Sequence, residues 1–155
     1  MTYWRMQLHP ASRTNAIEYT IKSLAAGYIG LDFEPMIGDL FDTEQATLPV
    51  GQRDCWAFAH EMQEGDLVLI VAHHFPFALA RVAGPYNYIR ATVPEIGVWF
   101  RHFREVDDIR YYADFKTNAH DWEATTMTDT LSPLRRADTI SYRLIEEWKG
   151  GTSTR

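Results

Sequence analysis

The stretch that most constrains the fold is 66–83, DLVLIVAHHFPFALARVA. Two apolar runs, 67–72 and 77–83, flank a break at His73-His74-Phe75-Pro76. Both runs are short and rich in Val, Leu and Ile, which favours strands. The pattern predicts two neighbouring strands of one sheet, joined by a loop bearing histidines and aromatics. The first run is almost wholly apolar, so it belongs in the middle of the sheet, covered on both faces. Arg81 interrupts the second run and must reach solvent or a partner. His73-His74 reads first as an ordinary polar turn and only second as part of a ligand-binding loop.

At 155 residues the chain is long enough to bury a core without staples, and its length fits one domain. The single cysteine, Cys55, excludes an internal disulfide and a cysteine-based zinc site. It fits a reducing compartment, and a cytoplasmic location is expected. No apolar run is long enough for a membrane span, and MTYWRMQLHP lacks a signal-peptide core. The net charge of −6 argues against non-specific nucleic-acid binding. The charge is uneven, however: residues 32–66 hold nine acidic groups against Arg53 alone, whereas 81–110 hold five arginines and four acids.

Along the chain, 2–8 reads as a first strand ended by Pro10. A helix over 15–26 follows, capped by Thr14 or Asn15, with Ile17, Ile21, Leu24 and Ala25 as its inner face. Gly27 supplies the left-handed stop. YIGLDF (28–33) is a short strand whose Gly30 suggests a close approach to the backbone. Residues 34–51 form a long acidic loop with room for a helical turn. A second helix spans 52–63 with Cys55, Ala59, Met62 and Trp56 inward. Strand character returns at 96–106, with both faces mixed, and again from Ile109 to Phe115. Residues 116–133 read as irregular. Asp138 caps a last helix whose stripe is Ile140, Leu144, Ile145 and Trp148, and 150–155 start a linker or tail. The expected fold is α+β: a curved mixed sheet or small barrel flanked by about three α-helices.

Catalytic motifs are missing: there is no dinucleotide fingerprint, P-loop, nucleophile elbow or zinc-protease helix. His73-His74 and Asp107-Asp108 have the chemistry of metal ligands, but no spacing ties them together, and no metal or cofactor is expected. Cys55 and His60 point in different directions on a helix, so Cys55 reads as a core residue. What stands out is polar and aromatic side chains at strand ends: Asp32 and Phe33; His73, His74 and Phe75; Tyr86, Tyr88 and Trp99. Aromatic walls with a hydrogen-bonding group suit a planar heterocycle, although the same rings could simply pack the sheet.

YWRMQLHP resembles the opening of EVE domains. The helix leading into GYIGLDF is similar to the element before the ligand pocket of EVE and YTH domains. EMQEGDLVLIVAHHFPFALARVAG, with Gly65-Asp66 in place, resembles the same families' helix, Gly-Asp, apolar strand, loop and small-residue strand. EIGVWFRHFREV and SYRLIEEW fall in family order, and 34–51 has no counterpart. The resemblance covers most of the chain and implies an EVE-type, PUA-like domain over 1–149. It implies a non-catalytic module that flips a modified base of DNA into a pocket and targets a fused nuclease or NTPase beyond Arg155. The implied pocket is Leu31, Asp32, Phe33, His73, His74, Phe75, Tyr86, Tyr88 and Trp99. Asp32 falls where YTH domains carry a cage aromatic. An acid there suits cytosine N4, so 5-methylcytosine or 5-hydroxymethylcytosine is the expected base. Arg81, Arg90, Arg101 and Arg104 are the expected phosphate contacts. The alternatives are a reader of N6-methyladenine or modified RNA, and a nucleotide-binding or hydrolytic domain.

Overall fold

A computed structural model of the chain describes residues 1–8, 16–32, 38–72, 75–111 and 130–150. Strand β3 (Leu67–Ala72) lies at its centre, parallel to β1 (Tyr3–Gln7) on one side and antiparallel to β4 (Phe75–Val82) on the other. Successive side chains of a strand point to opposite faces. Val68 and Ile70 accordingly enter the main core with Trp4, Met6 and Phe58. Leu67, Leu69 and Val71 join Tyr3, Leu79 and Ile145 in a second cluster. The all-apolar run is therefore covered on both faces, as its composition requires.

The sheet order is β2-β6-β4-β3-β1-β7, where β2 is Tyr28–Leu31, β6 is His102–Tyr111 and β7 is Leu131–Leu134; the short β5 (Asn87–Tyr88) pairs with β6. All pairings but β1–β3 are antiparallel. The result is a mixed α/β structure in which the sheet curls into a half-barrel beside three helices. α1 (Ala16–Ala26) and α2 (Trp56–His60) border the main core, and α3 (Ile140–Gly150) packs on the second cluster through Ile145, with Tyr142, Leu144 and Trp148 half-buried. Among the described residues no helix is long and apolar enough to cross a membrane.

Two buried charges join these elements. Asp66, just before β3, accepts from Thr2 N–H, the Trp4 indole and Gln63 N–H, each at 2.9 Å. That pins the start of β1 to the entry of β3. Arg104 of β6 is buried, and its Nη1 donates to the carbonyls of Phe58 (3.3 Å) and Met62 (2.5 Å), capping the end of α2.

Several expectations need correction. Phe75 and Pro76 open β4, so the break between the two central strands is shorter than expected. The strand expected at 96–106 begins only at His102 and runs on to Tyr111, absorbing the start of the separate strand expected from Ile109. Before it, Pro94–Ile96 forms a single 3-10 turn. The buried face of β6 is His102, Arg104 and Val106; His102 meets the Tyr86 hydroxyl and Arg104 sets Nη1 on two carbonyls, while its buried Nε goes without. The helix expected at 52–63 is a 3-10 run, Val50–Cys55, followed by one α turn, with Ala57 and Phe58 also inward. A strand, Leu131–Leu134, overlaps the end of the stretch expected to be irregular. α3 is capped by Thr139, whose Oγ1 accepts from Tyr142 N–H at 3.2 Å, while Asp138 pairs with Arg136. The proposed caps Thr14 and Asn15, the stop Pro10, and Phe115 lie outside the described residues.

Candidate functional site

The register of β2 on β6 sets Leu31 opposite His102. Continuing it by one residue sets Asp32 opposite Arg101, and facing side chains of opposite charge on an antiparallel pair attract. Arg101 Nε donates to both Asp32 oxygens, at 2.9 and 2.8 Å, its Nη2 donates to Oδ1, and its backbone N–H to Oδ2 at 3.3 Å. The side chains retain 12% and 28% of their exposure, so the pair is half-sunk at the mouth of the strand ends. A carboxylate offers about four lone-pair sites, and the Arg101 contacts occupy that number while balancing the charge of Asp32.

On the other side of β6, β5 sets Tyr88 opposite His102. The half-buried Tyr88 ring tilts against the imidazole at 5.1 Å. His102 is itself buried, and its Nδ1 lies 2.7 Å from the Tyr86 hydroxyl. That hydroxyl accepts from Leu40 N–H at 3.0 Å, which leaves its own proton for Nδ1. His102 is then neutral, with its proton on Nε2. Burial drives its pKa down to about 4, with neighbouring Arg101 acting in the same direction against the pull of Asp32 and Asp39. Burial likewise pushes the Tyr86 hydroxyl up, so it stays protonated. Leu40 is held from both ends, because its carbonyl accepts from His60 Nε2 at 2.7 Å.

One end of β6 thus gathers Leu31, Asp32, Tyr86, Tyr88 and Arg101, but in unequal roles. Leu31 and Tyr86 are core residues, and the Tyr86 ring packs edge-on against Phe41 and Phe58. Tyr86 is therefore a support rather than an open wall. Trp99 stacks on Tyr19 of α1 at 4.0 Å, with its buried indole N–H unbonded. Phe33, His73 and His74 lie outside the described residues, and Phe75 opens β4.

The four arginines separate in the same way. Arg104 is an internal cap, because burying a guanidinium requires the carbonyl partners it has, so it is no phosphate contact. Arg101 is committed to Asp32. Arg81 is exposed but forked onto Asp107, at 2.7 and 2.8 Å. Arg90 is exposed. Among the described residues no group of three or more His, Cys, Asp or Glu side chains could hold a metal ion.

Sequence reasoning did not single out His102, Asp66 or the Leu40 clamp. Only Asp66 had a visible signal, the Gly-Asp step before an apolar run. A separate polar groove of about 590 Å³ lies between β1, β7 and α3, beside Tyr3, Arg135, Tyr142, Glu146 and Lys149. There the Tyr3 hydroxyl donates to Glu146 at 3.1 Å and accepts from Lys149. Compared with known proteins, the chain matches no family model and no curated protein.

Proposed function

We propose that this chain is a non-catalytic DNA-binding module of the EVE/YTH type within the PUA-like superfamily. It takes a flipped 5-methylcytosine or 5-hydroxymethylcytosine at the mouth of the β2–β6–β5 strand ends. It thereby targets a nuclease or NTPase carried beyond Arg155, in the cytoplasm. The observation that supports this reading is the half-sunk Asp32–Arg101 pair at the same end of β6 as Tyr88. A cytosine N4 amine donates to a carboxylate, here in exchange for one of the Arg101 contacts, and the remaining contacts keep that carboxylate from being a bare charge beside a neutral base. Tyr88 offers an aromatic face for stacking, and His102 and Tyr86 hold that corner rigid from behind.

The test is a gel-shift comparison of matched duplexes carrying cytosine, 5-methylcytosine, 5-hydroxymethylcytosine or N6-methyladenine. The expected result is weak, salt-sensitive binding to the unmodified duplex and clearly tighter binding to one cytosine modification. Asp32→Ala should remove ~1–3 kcal/mol of that discrimination. Equal affinity for every duplex ends the reading. Discrimination that survives Asp32→Ala removes Asp32 from the contact.

A further inference from the structure

The acidic stretch 38–66 ahead of β3 is tied down firmly, yet largely open to solvent over 41–54. Leu40 and Leu48 are buried pegs, at 0% and 2% exposure. Leu40 is clamped at both its N–H and its carbonyl. The Trp56 indole donates to Thr43 O at 2.9 Å. Arg53, the only basic residue of 32–66, donates to the carbonyls of Leu48 (3.2 Å) and Ala46 (3.3 Å). It therefore braces the backbone.

A run of ring contacts leads from exposed Phe41 and His60 to the half-buried Trp56. Phe41 is 52% exposed and stands edge-on to His60 at 5.5 Å. His60 in turn stacks on Trp56 at 4.1 Å with the rings 14° from parallel. Asp42 and Glu44 follow Phe41 in the sequence and are exposed, and neither pairs with a cation among the described residues. A rigid exposed ring loses little entropy when covered, the property of a binding anchor. Ring faces attract ammonium and guanidinium groups, and adjacent carboxylates add to that attraction. The same carboxylates repel phosphates, so nucleic acid does not suit this face.

We infer that the Phe41–His60–Trp56 face docks a basic polypeptide segment of a protein partner. Lys or Arg side chains of that segment lie over the rings and pair with Asp42 and Glu44. The inference does not rest on the base reading: it uses different side chains and the opposite charge, and meets that corner only where Phe41 packs edge-on against Tyr86.

The probe is a fluorescein-labelled peptide of about twelve residues alternating Arg or Lys with Leu, with an acidic counterpart as control. It is titrated against the full chain by anisotropy and by amide and indole NMR. Expected are saturable binding of the basic peptide alone, weakening with salt, and shifts centred on Phe41, Thr43, His60 and the Trp56 indole. Phe41→Ala removes the edge-on contacts to His60 and Tyr86, and should weaken binding about tenfold or more. The double variant Asp42→Asn/Glu44→Gln should flatten the salt dependence. Asp138→Asn/Glu147→Gln, with the same charge change elsewhere, should leave binding unchanged. Absence of saturable binding overturns the proposal. So does equal affinity in Phe41→Ala, or a shift pattern centred elsewhere. A chain that discriminates modified duplexes but ignores the peptide loses only this inference; one that binds the peptide but no modified base loses only the base reading.

Discussion

His102 is a base kept neutral inside the protein, and that has a pH signature. Its folded pKa is about 4, against an ordinary value near ~6.5. The unfolded chain takes up the proton first. Stability therefore falls as pH drops below the ordinary histidine value, and keeps falling until the folded-state value is reached. Between pH 7 and pH 5 the loss from this one residue should be about 2 kcal/mol. In His102→Asn the side-chain oxygen can still accept from Tyr86 but does not titrate. Urea midpoints measured at both pH values should converge in the variant and diverge in the parent. Parallel curves would show that His102 is not the buried neutral group described. None of this was visible from composition, because the mixed 96–106 stretch gave no sign of which residues face inward. The inward histidine is tolerable only because Tyr86, sixteen residues earlier, arrives with a hydroxyl.

At the scale of elements, Gly30 shows how a local expectation acquires its physical content. A glycine inside β2 signalled a close approach, and what approaches is the chain's own Phe100. A Cβ at position 30 would lie 2.0 Å from the Phe100 ring and 2.4 Å from the His102 carbonyl oxygen. Gly30→Ala should destabilise the protein by about 1–3 kcal/mol, measured by urea unfolding. Adding Phe100→Leu should recover only part of that, since the backbone oxygen stays; full recovery would mean the ring alone made the conflict. α1 teaches a different lesson. Its bounds and its Gly27 stop (φ 88°) were legible. Its rotation was not: Thr20, Ser23 and Leu24 face inward, while Ile21 is 45% exposed and Ala25 also faces out. The Tyr19–Trp99 stack and the seat of Gly97 against Ala26, where a Cβ would come within 2.4 Å, set that rotation. Both contacts come from a loop more than seventy residues away, so no helical period in α1 records them.

For the whole molecule, stability should grade outward from β3. Its amides sit between two strands and its side chains are buried on both faces. Hydrogen exchange should therefore be slowest along Leu67–Val71, at the rate of global unfolding, and faster in β2 and β7 at the ends of the sheet. Uniform protection across the sheet would contradict this. The β7 end is also guarded against pairing with another chain. Leu131 N–H donates to Asp54 at 3.0 Å, and Pro133 has no N–H to give. What the sequence determined by itself was the central pair of strands, the three helical segments and the α+β class. These follow from hydrophobic period, turn residues and composition, which act over a few neighbours in the chain. Only the tertiary structure decided that Asp32 answers Arg101, that Arg104 is an internal cap, and that Tyr86 is core. A polar side chain's role depends on which partner reaches it across the fold, and residues far apart in sequence carry no local trace of that meeting.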